Sequence, residues 1–267
     1  MTPEAIKAIF AAYQKAAATF TLDSINAATS NLFASDAALK MCHPFGTLHG
    51  PEALVETCYA PLVDAVPDLE RRDMIVLAGT TPEGEDWLGC MGNYMGTMTG
   101  PWLGIRPTGH LVHMRYHEFY HFDGERITEM QAIWDIPEVM MQAGVWPMAP
   151  QTGAFLATPA PMTQDGLQTS GDGSATMSHV IAMLEDLCRH PADPDPKVMQ
   201  LEKYWHPRFN WYGPCGIGTA RGASGFRNWH QVPFLQAMPD RKLDSMGDLN
   251  SAWLAQGDYV CETGWPN

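Results

Sequence analysis

The chain has 267 residues, 45% apolar and 17% charged, with nine Trp, seventeen Met and a formal net charge of −14, which argues against nucleic acid and anionic membranes as partners because both need Lys/Arg patches. Its six cysteines include no C-x-x-C pair and no zinc-like spacing, so they read as buried free thiols, and no metal is expected. No signal peptide is visible and no apolar run reaches a membrane span, so a soluble, cytoplasmic protein is expected.

In chain order, Thr2 caps a predicted helix with Pro3 at its first position, running to about Ala18. A second helix begins near Asp23-Ser24 and ends before Asp36. A short strand follows around Leu39–Met41. Gly50-Pro51 then opens a helix that Pro67 stops. Strands are predicted near Met74–Leu77, Trp87–Met98 and Leu111–Phe122, with Asp123-Gly124 as a turn into a last strand, Arg126–Trp134. Pro137 to Gln142 reads as a closing helix, with Gly144 just past its end. Helices first and long strands afterwards imply an α+β fold, with helices packed on one face of a curved antiparallel sheet. Such a cone leaves room for a small molecule, and abundant Met and Trp suit either an apolar cavity or a packed core.

From residue 145 the composition changes to alternating Pro and Gly, a linker too long for an ordinary connection. Helices are then predicted near Met177–Arg189, Pro196–Tyr204 and Ala223–Met238, with strands at Phe209–Tyr212 and Trp253–Cys261. A shift of 172 residues lays Pro61-Leu62-Val63-Asp64-Ala65-Val66-Pro67-Asp68 over Pro233-Phe234-Leu235-Gln236-Ala237-Met238-Pro239-Asp240. The same register lays Gly50 over Gly222, Asp86-Trp87-Leu88 over Asp258-Tyr259-Val260, and Gly92 over Gly264. The expected organisation is two cone-shaped units. Residues 1–148 form a complete unit, 149–174 the linker, and 175–267 a second unit lacking its C-terminal strands. An open sheet edge there implies either further chain or a paired edge.

Trp211-Tyr212-Gly213-Pro214, Gly216-Ile217-Gly218-Thr219-Ala220-Arg221-Gly222, Gly225-Phe226-Arg227, His230, Pro233-Phe234-Leu235 and Pro239-Asp240 resemble the SnoaL-like polyketide cyclase family, of the nuclear transport factor 2-like fold. Tyr120-His121-Phe122-Asp123-Gly124-Glu125-Arg126-Ile127-Thr128-Glu129 is similar to the same family's strand–turn–strand signature. The resemblance implies the cone fold and a cofactor-free ring closure on a hydrophobic carbonyl compound. In that chemistry a base removes an acidic proton and the enolate attacks a second carbonyl. It also implies dimerisation through the open sheet face, either as a homodimer or as a pseudo-dimer of the two units. The family places a His and an Asp just beyond the Glu matched by Glu129. Here those places hold Met130 and Ala132, which cannot move a proton.

His113, His117 and His121 recur every four residues, but on a strand that spacing spans about 13 Å, too far for one metal ion. Alternation puts them on one face and Met114, Tyr116, Glu118 and Tyr120 on the other; either face can line the pocket. His117, Glu118 and Asp135 are candidate acid–base groups, and His43 either orients a carbonyl or occupies a loop. Trp87 and Trp134 form an aromatic wall or core packing, beside Tyr116, Tyr120 and Met130 as substrate contacts. In the second unit Trp211 and His230 are candidate substrate contacts. Arg221-Gly222 opens a helix that either favours an anion or is simply capped and ended by Asp240. Two readings stay open: a cofactor-independent cyclase or isomerase, and a non-catalytic module that binds small molecules or pairs subunits.

Overall fold

The computed structural model describes residues 1–239 and 251–265; Asp240 lies outside them. Helix α1 (Pro3–Ala17) starts at Thr2, whose hydroxyl accepts from the Ala5 amide at 3.2 Å, with Pro3 where its missing N–H costs nothing. Ile6, Phe10, Tyr13 and Ala17 fall on one stripe of it and are buried. Helix α2 (Leu22–Leu32) is capped by Thr21 and buries Ile25, Thr29 and Leu32.

The chain passes directly into β1 (Phe33–Met41), which begins earlier than its apolar end predicts. Parallel pairing with β6 (Arg126–Trp134), with Phe33 opposite Ile127, holds this Ala-rich stretch extended. After β2 (Thr47–His49), the predicted single helix is three pieces. These are α3 (Gly50–Leu54), a π-helical turn at Val55–Tyr59, and α4 (Ala60–Ala65). Pro61 explains the wide turn: it cannot donate to the helical ladder and its ring crowds the preceding carbonyls.

Strands β3 (Glu70–Thr80), β4 (Asp86–Thr97) and β5 (Leu111–Asp123) complete a six-stranded sheet of order β2-β1-β6-β5-β4-β3. Every neighbouring pair is antiparallel except β1–β6. Helix α5 (Ile136–Gln142) closes the unit. The main core joins α1, α2 and α4 to one face of this sheet, giving the α+β cone. That face carries Met114, Tyr116, Glu118 and Tyr120, which settles the alternation of β5; His113, His117 and His121 project from the other.

The remaining described residues include α6 (Ser174–Cys188), α7 (Leu201–Tyr204), β7 (Asn210–Tyr212), β8 (Thr219–Arg221), α8 (Gly222–Phe226), a π-helical turn at Arg227–Gln231, α9 (Val232–Ala237), β9 (Ser251–Gln256) and β10 (Tyr259–Gly264). The predicted single strand Trp253–Cys261 is in fact a hairpin, because Gly257 takes φ +55° and turns the chain. This hairpin lies over the outer face of the first sheet, where Trp87, Ala252 and Leu254 pack with Phe119 and Cys261. Thr263 donates to Gln131 at 2.7 Å, and Gln256 accepts from the Ala78 amide at 3.0 Å. The Pro/Gly-rich stretch also runs along this face. Phe155 stacks on His113 at 5.8 Å, and the Thr158 carbonyl accepts from Asn93 at 3.3 Å.

Candidate functional site

Glu118 sits at the centre of the first unit with no solvent exposure. Its Oε1 accepts from Tyr94 at 2.9 Å and from the Trp134 indole at 2.8 Å. Its Oε2 accepts from Tyr120 at 2.5 Å and pairs with Arg71 Nη2 at 3.1 Å. Arg71 also pairs with Asp73 at 3.0 Å, and Asp73 accepts from Tyr116. The Arg71 guanidinium lies over the rings of Phe10, Tyr13 and Tyr116, with the Tyr116 centroid at 4.6 Å. Those faces stand where its Nε and Nη1 have no hydrogen-bond acceptor among the described residues. Burial pushes the phenols of Tyr94, Tyr116 and Tyr120 well above their ordinary range, so they stay neutral donors. A carboxylate offers about four lone-pair directions. Four donors already occupy those of Glu118, so no free lone pair faces a substrate.

Met130 and Trp134 share this interior, at 0% and 2% exposure. Tyr116 and Tyr120 are therefore parts of a filled polar core, not the walls of an open pocket. Trp87 does not join them. It stands on the opposite face of the sheet, against His121 at 5.1 Å, so Trp87 and Trp134 form no common wall. His43 is exposed in the turn after β1. The three β5 histidines have separate surroundings. His113 lies 3.6 Å from Glu138, His121 bonds Thr128 at 3.0 Å, and His117 faces a cleft. Among the described residues no group of three or more His, Cys, Asp or Glu could hold a metal ion, and no helix is long and apolar enough to cross a membrane.

On the outer face, Arg115 gathers the chain around itself. Its guanidinium donates to Thr158 Oγ1 at 3.1 Å, to the carbonyls of Tyr212 and Gly213 at 2.9 Å each, and to Asp135 at 3.3 Å. Asp135 also accepts from the Cys215 amide at 2.8 Å. Burial raises the Asp135 pKa, opposed by the Cys215 amide and by Arg115. Asp135 thus joins two parts of the chain and lies apart from Glu118.

His117 is accessible from the cleft yet closely surrounded by protein, and burial, with Arg115 nearby, pushes its pKa down to about 4. A folded pKa below the unfolded value of about 6.5 means the neutral ring contributes stability above that pH, and this is lost as pH falls toward 4. His117→Leu is expected to flatten the fall of Tm between those limits. An unchanged profile, read by calorimetry at stepped pH, would show that solvent screens the ring.

The second half contains the more open apolar space. A cavity of about 490 Å³ is lined by Trp205, Phe209, Trp211, Phe226, His230 and Phe234, with Leu184 and Leu187 of α6. Trp211 stacks on His230 at 4.0 Å, and Phe226 meets Trp211 edge-on at 5.6 Å. The sequence-derived pair Trp211 and His230 is thus brought together. Arg221-Gly222 does open a helix, but α8 is a single short turn with no side-chain cap. Sequence reasoning missed Arg71, Asp73 and Arg115. Arg115 was within reach, since it alternates with His113 and His117 on their face. Arg71 was hidden because β3 begins well before the apolar stretch that marks it.

Residues 11–143 match the SnoaL-like polyketide cyclase family. A comparison with curated proteins finds no match. Similar solved structures include AclR from Streptomyces galilaeus, described as a candidate hydroxylase, 17% identical, covering 56% of this chain and 91% of that one at a TM-score of 0.45. IdmH from Streptomyces antibioticus, a candidate polyketide cyclase, is 18% identical over 52% of this chain and 99% of its own, at 0.43. TsrD from Streptomyces laurentii is 13% identical over 54% and 98%, at 0.44. What the comparisons show is thus a similarity of residues 11–143, just under half of the chain, to the SnoaL-like polyketide cyclase family.

Proposed function

We propose that this chain is a tandem SnoaL-like protein in which the first unit is a closed platform and the second binds a flat, apolar small molecule. The tandem reading rests on one offset. The elements β8, α8, the second π-turn and α9 each begin 172 residues after β2, α3, the first π-turn and α4. Gly50 and Gly222 both have positive φ, and an added Cβ would meet the Ser35 carbonyl at 2.6 Å in one and the Pro207 carbonyl at 3.1 Å in the other. Those two carbonyls lie 172 residues apart as well. The close contacts between the halves support a built-in pseudo-dimer.

The aromatic cavity carries the binding reading. In the first unit the positions matching Phe226, His230 and Phe234 are Leu54, Cys58 and Leu62, buried to 0%, 0% and 4% exposure inside a filled core. In the second unit the same frame encloses about 490 Å³ with stacked rings on its wall, a volume typical of small-molecule sites. The cyclase or isomerase alternative calls for a carboxylate and an imidazole in one cavity, whereas Glu118 and His117 project from opposite faces.

Flavone, an uncharged planar carbonyl compound, is the test ligand, with binding read by calorimetry. Trp211→Ala is expected to weaken it about tenfold, as removal of one aromatic contact does. Glu118→Gln should leave affinity unchanged. Absence of saturable binding, or a loss that follows Glu118 and not Trp211, would overturn the assignment. Proton transfer from an added ketone that depends on Glu118 would restore the catalytic reading.

A further inference from the structure

We propose that the cleft between the outer face of β3–β5 and the β9–β10 hairpin is a second small-molecule site, built for an uncharged one- or two-ring compound carrying a single hydroxyl or carbonyl beside His117. It stands independently of the second-unit cavity.

The cleft encloses about 250 Å³, below the usual span of drug-sized pockets, which limits its occupant to one or two rings. Ile75 and Leu77 line one side, and Tyr212, Val260 and Cys261 come from the second half, so it exists only where the two halves meet. Gly89 makes this approach possible: a Cβ there would fall 2.8 Å from the Phe119 ring and 2.9 Å from the Cys261 sulfur. Most of the lining is aromatic, aliphatic or sulfur, a surface suited to rings.

Three groups decide the ligand's charge and chemistry. His117 is neutral at physiological pH, so its ring offers one donor and one acceptor to a hydroxyl or carbonyl. Arg115 lines the cleft but does not favour an anion. Its hydrogens are directed to Thr158, Tyr212, Gly213 and Asp135, and Asp135 offsets its charge. Cys261 and Cys90 are not nucleophiles, because burial pushes Cys261 up to about 12 and Cys90 well above its ordinary value. Recognition is therefore non-covalent.

The probes are 2-naphthol and naphthalene, titrated into the full chain at pH 7.5. Affinities are measured by calorimetry and the histidine ring protons followed by NMR. The His117 signal is identified by its loss in His117→Leu. Saturable movement of that signal is expected with 2-naphthol. 2-Naphthol should bind about five- to tenfold tighter than naphthalene, the worth of one neutral hydrogen bond. His117→Leu should erase that preference while leaving naphthalene binding in place, and Val260→Trp should block both. If Val260→Trp does not fold, Cys261→Met narrows the same cleft. No saturable movement at His117, movement at His230 alone, or affinity that survives both cleft-filling variants would overturn the proposal. The His230 signal reports the second-unit cavity separately, so the two sites fail independently.

Discussion

Glu118→Ala is expected to cost about 3–5 kcal/mol of unfolding free energy, the range for removing one partner of a buried ion pair. A domain's whole stability is about 5–15 kcal/mol, so this variant should unfold at markedly lower urea or fail to accumulate. The cost follows from what the substitution leaves behind. Arg71 keeps Asp73 but loses its second carboxylate, inside a core with no water to replace it. The Trp134 indole and the Tyr94 and Tyr120 hydroxyls lose their acceptor together. Glu118→Gln keeps the shape and two acceptor directions, so a loss of about 1–3 kcal/mol is expected. Urea midpoints followed by tryptophan fluorescence measure both. A loss under about 1 kcal/mol in Glu118→Ala would mean water enters the network, which would reopen the first unit as a ligand site.

The same network shows where sequence reasoning reached and where it stopped. The alternation along 111–122 was legible because a strand's period is two, and it separated Tyr116, Glu118 and Tyr120 from the histidines. Which set faces inward was not, because both faces of this sheet are covered. Helices cover one, and the β9–β10 hairpin with the Pro/Gly-rich stretch covers the other. With both sides packed, polarity no longer marks the solvent side. For Trp87 and Trp134 the sequence leaves a pocket wall and core packing both open for the same reason; the structure buries both, on opposite faces of the sheet. The π-turns were invisible to helical periodicity, although Pro61 and Pro233 sit at matching points just after them. The cavity was legible only as the pair Trp211 and His230. Its other rings, Trp205, Phe209, Phe226 and Phe234, come from separate stretches of chain and meet only in three dimensions.

Arg115→Ala is expected to cost a comparable 3–5 kcal/mol or so, but at the junction of the two halves and not inside either. Asp135 would be left as a nearly buried carboxylate facing the Cys215 amide and the like charge of Glu138, and the carbonyls of Tyr212 and Gly213 would lose their donor. The Thr158 hydroxyl would lose its tie as well, releasing the Pro/Gly-rich stretch from the sheet. Two readouts separate this from a general loss of stability. Thermolysin, which cuts before large apolar side chains such as Phe155 and Leu156, should cut the chain between residues 145 and 173 faster while the first sheet stays protected. Hydrogen exchange should also rise in β7 and β8 before it rises in β5. Much of the cost is the stranded charge of Asp135, so adding Asp135→Ala should return part of it, giving a coupling free energy of the opposite sign to the two single losses. If cleavage between 145 and 173 is unchanged in Arg115→Ala, the halves are held by the Trp87–Leu254 contact and the β9–β10 hairpin instead. The cleft beside His117 would then keep its walls without Arg115. If cleavage rises, the residue that joins the halves also holds that cleft together, and 2-naphthol affinity should fall with the same variant.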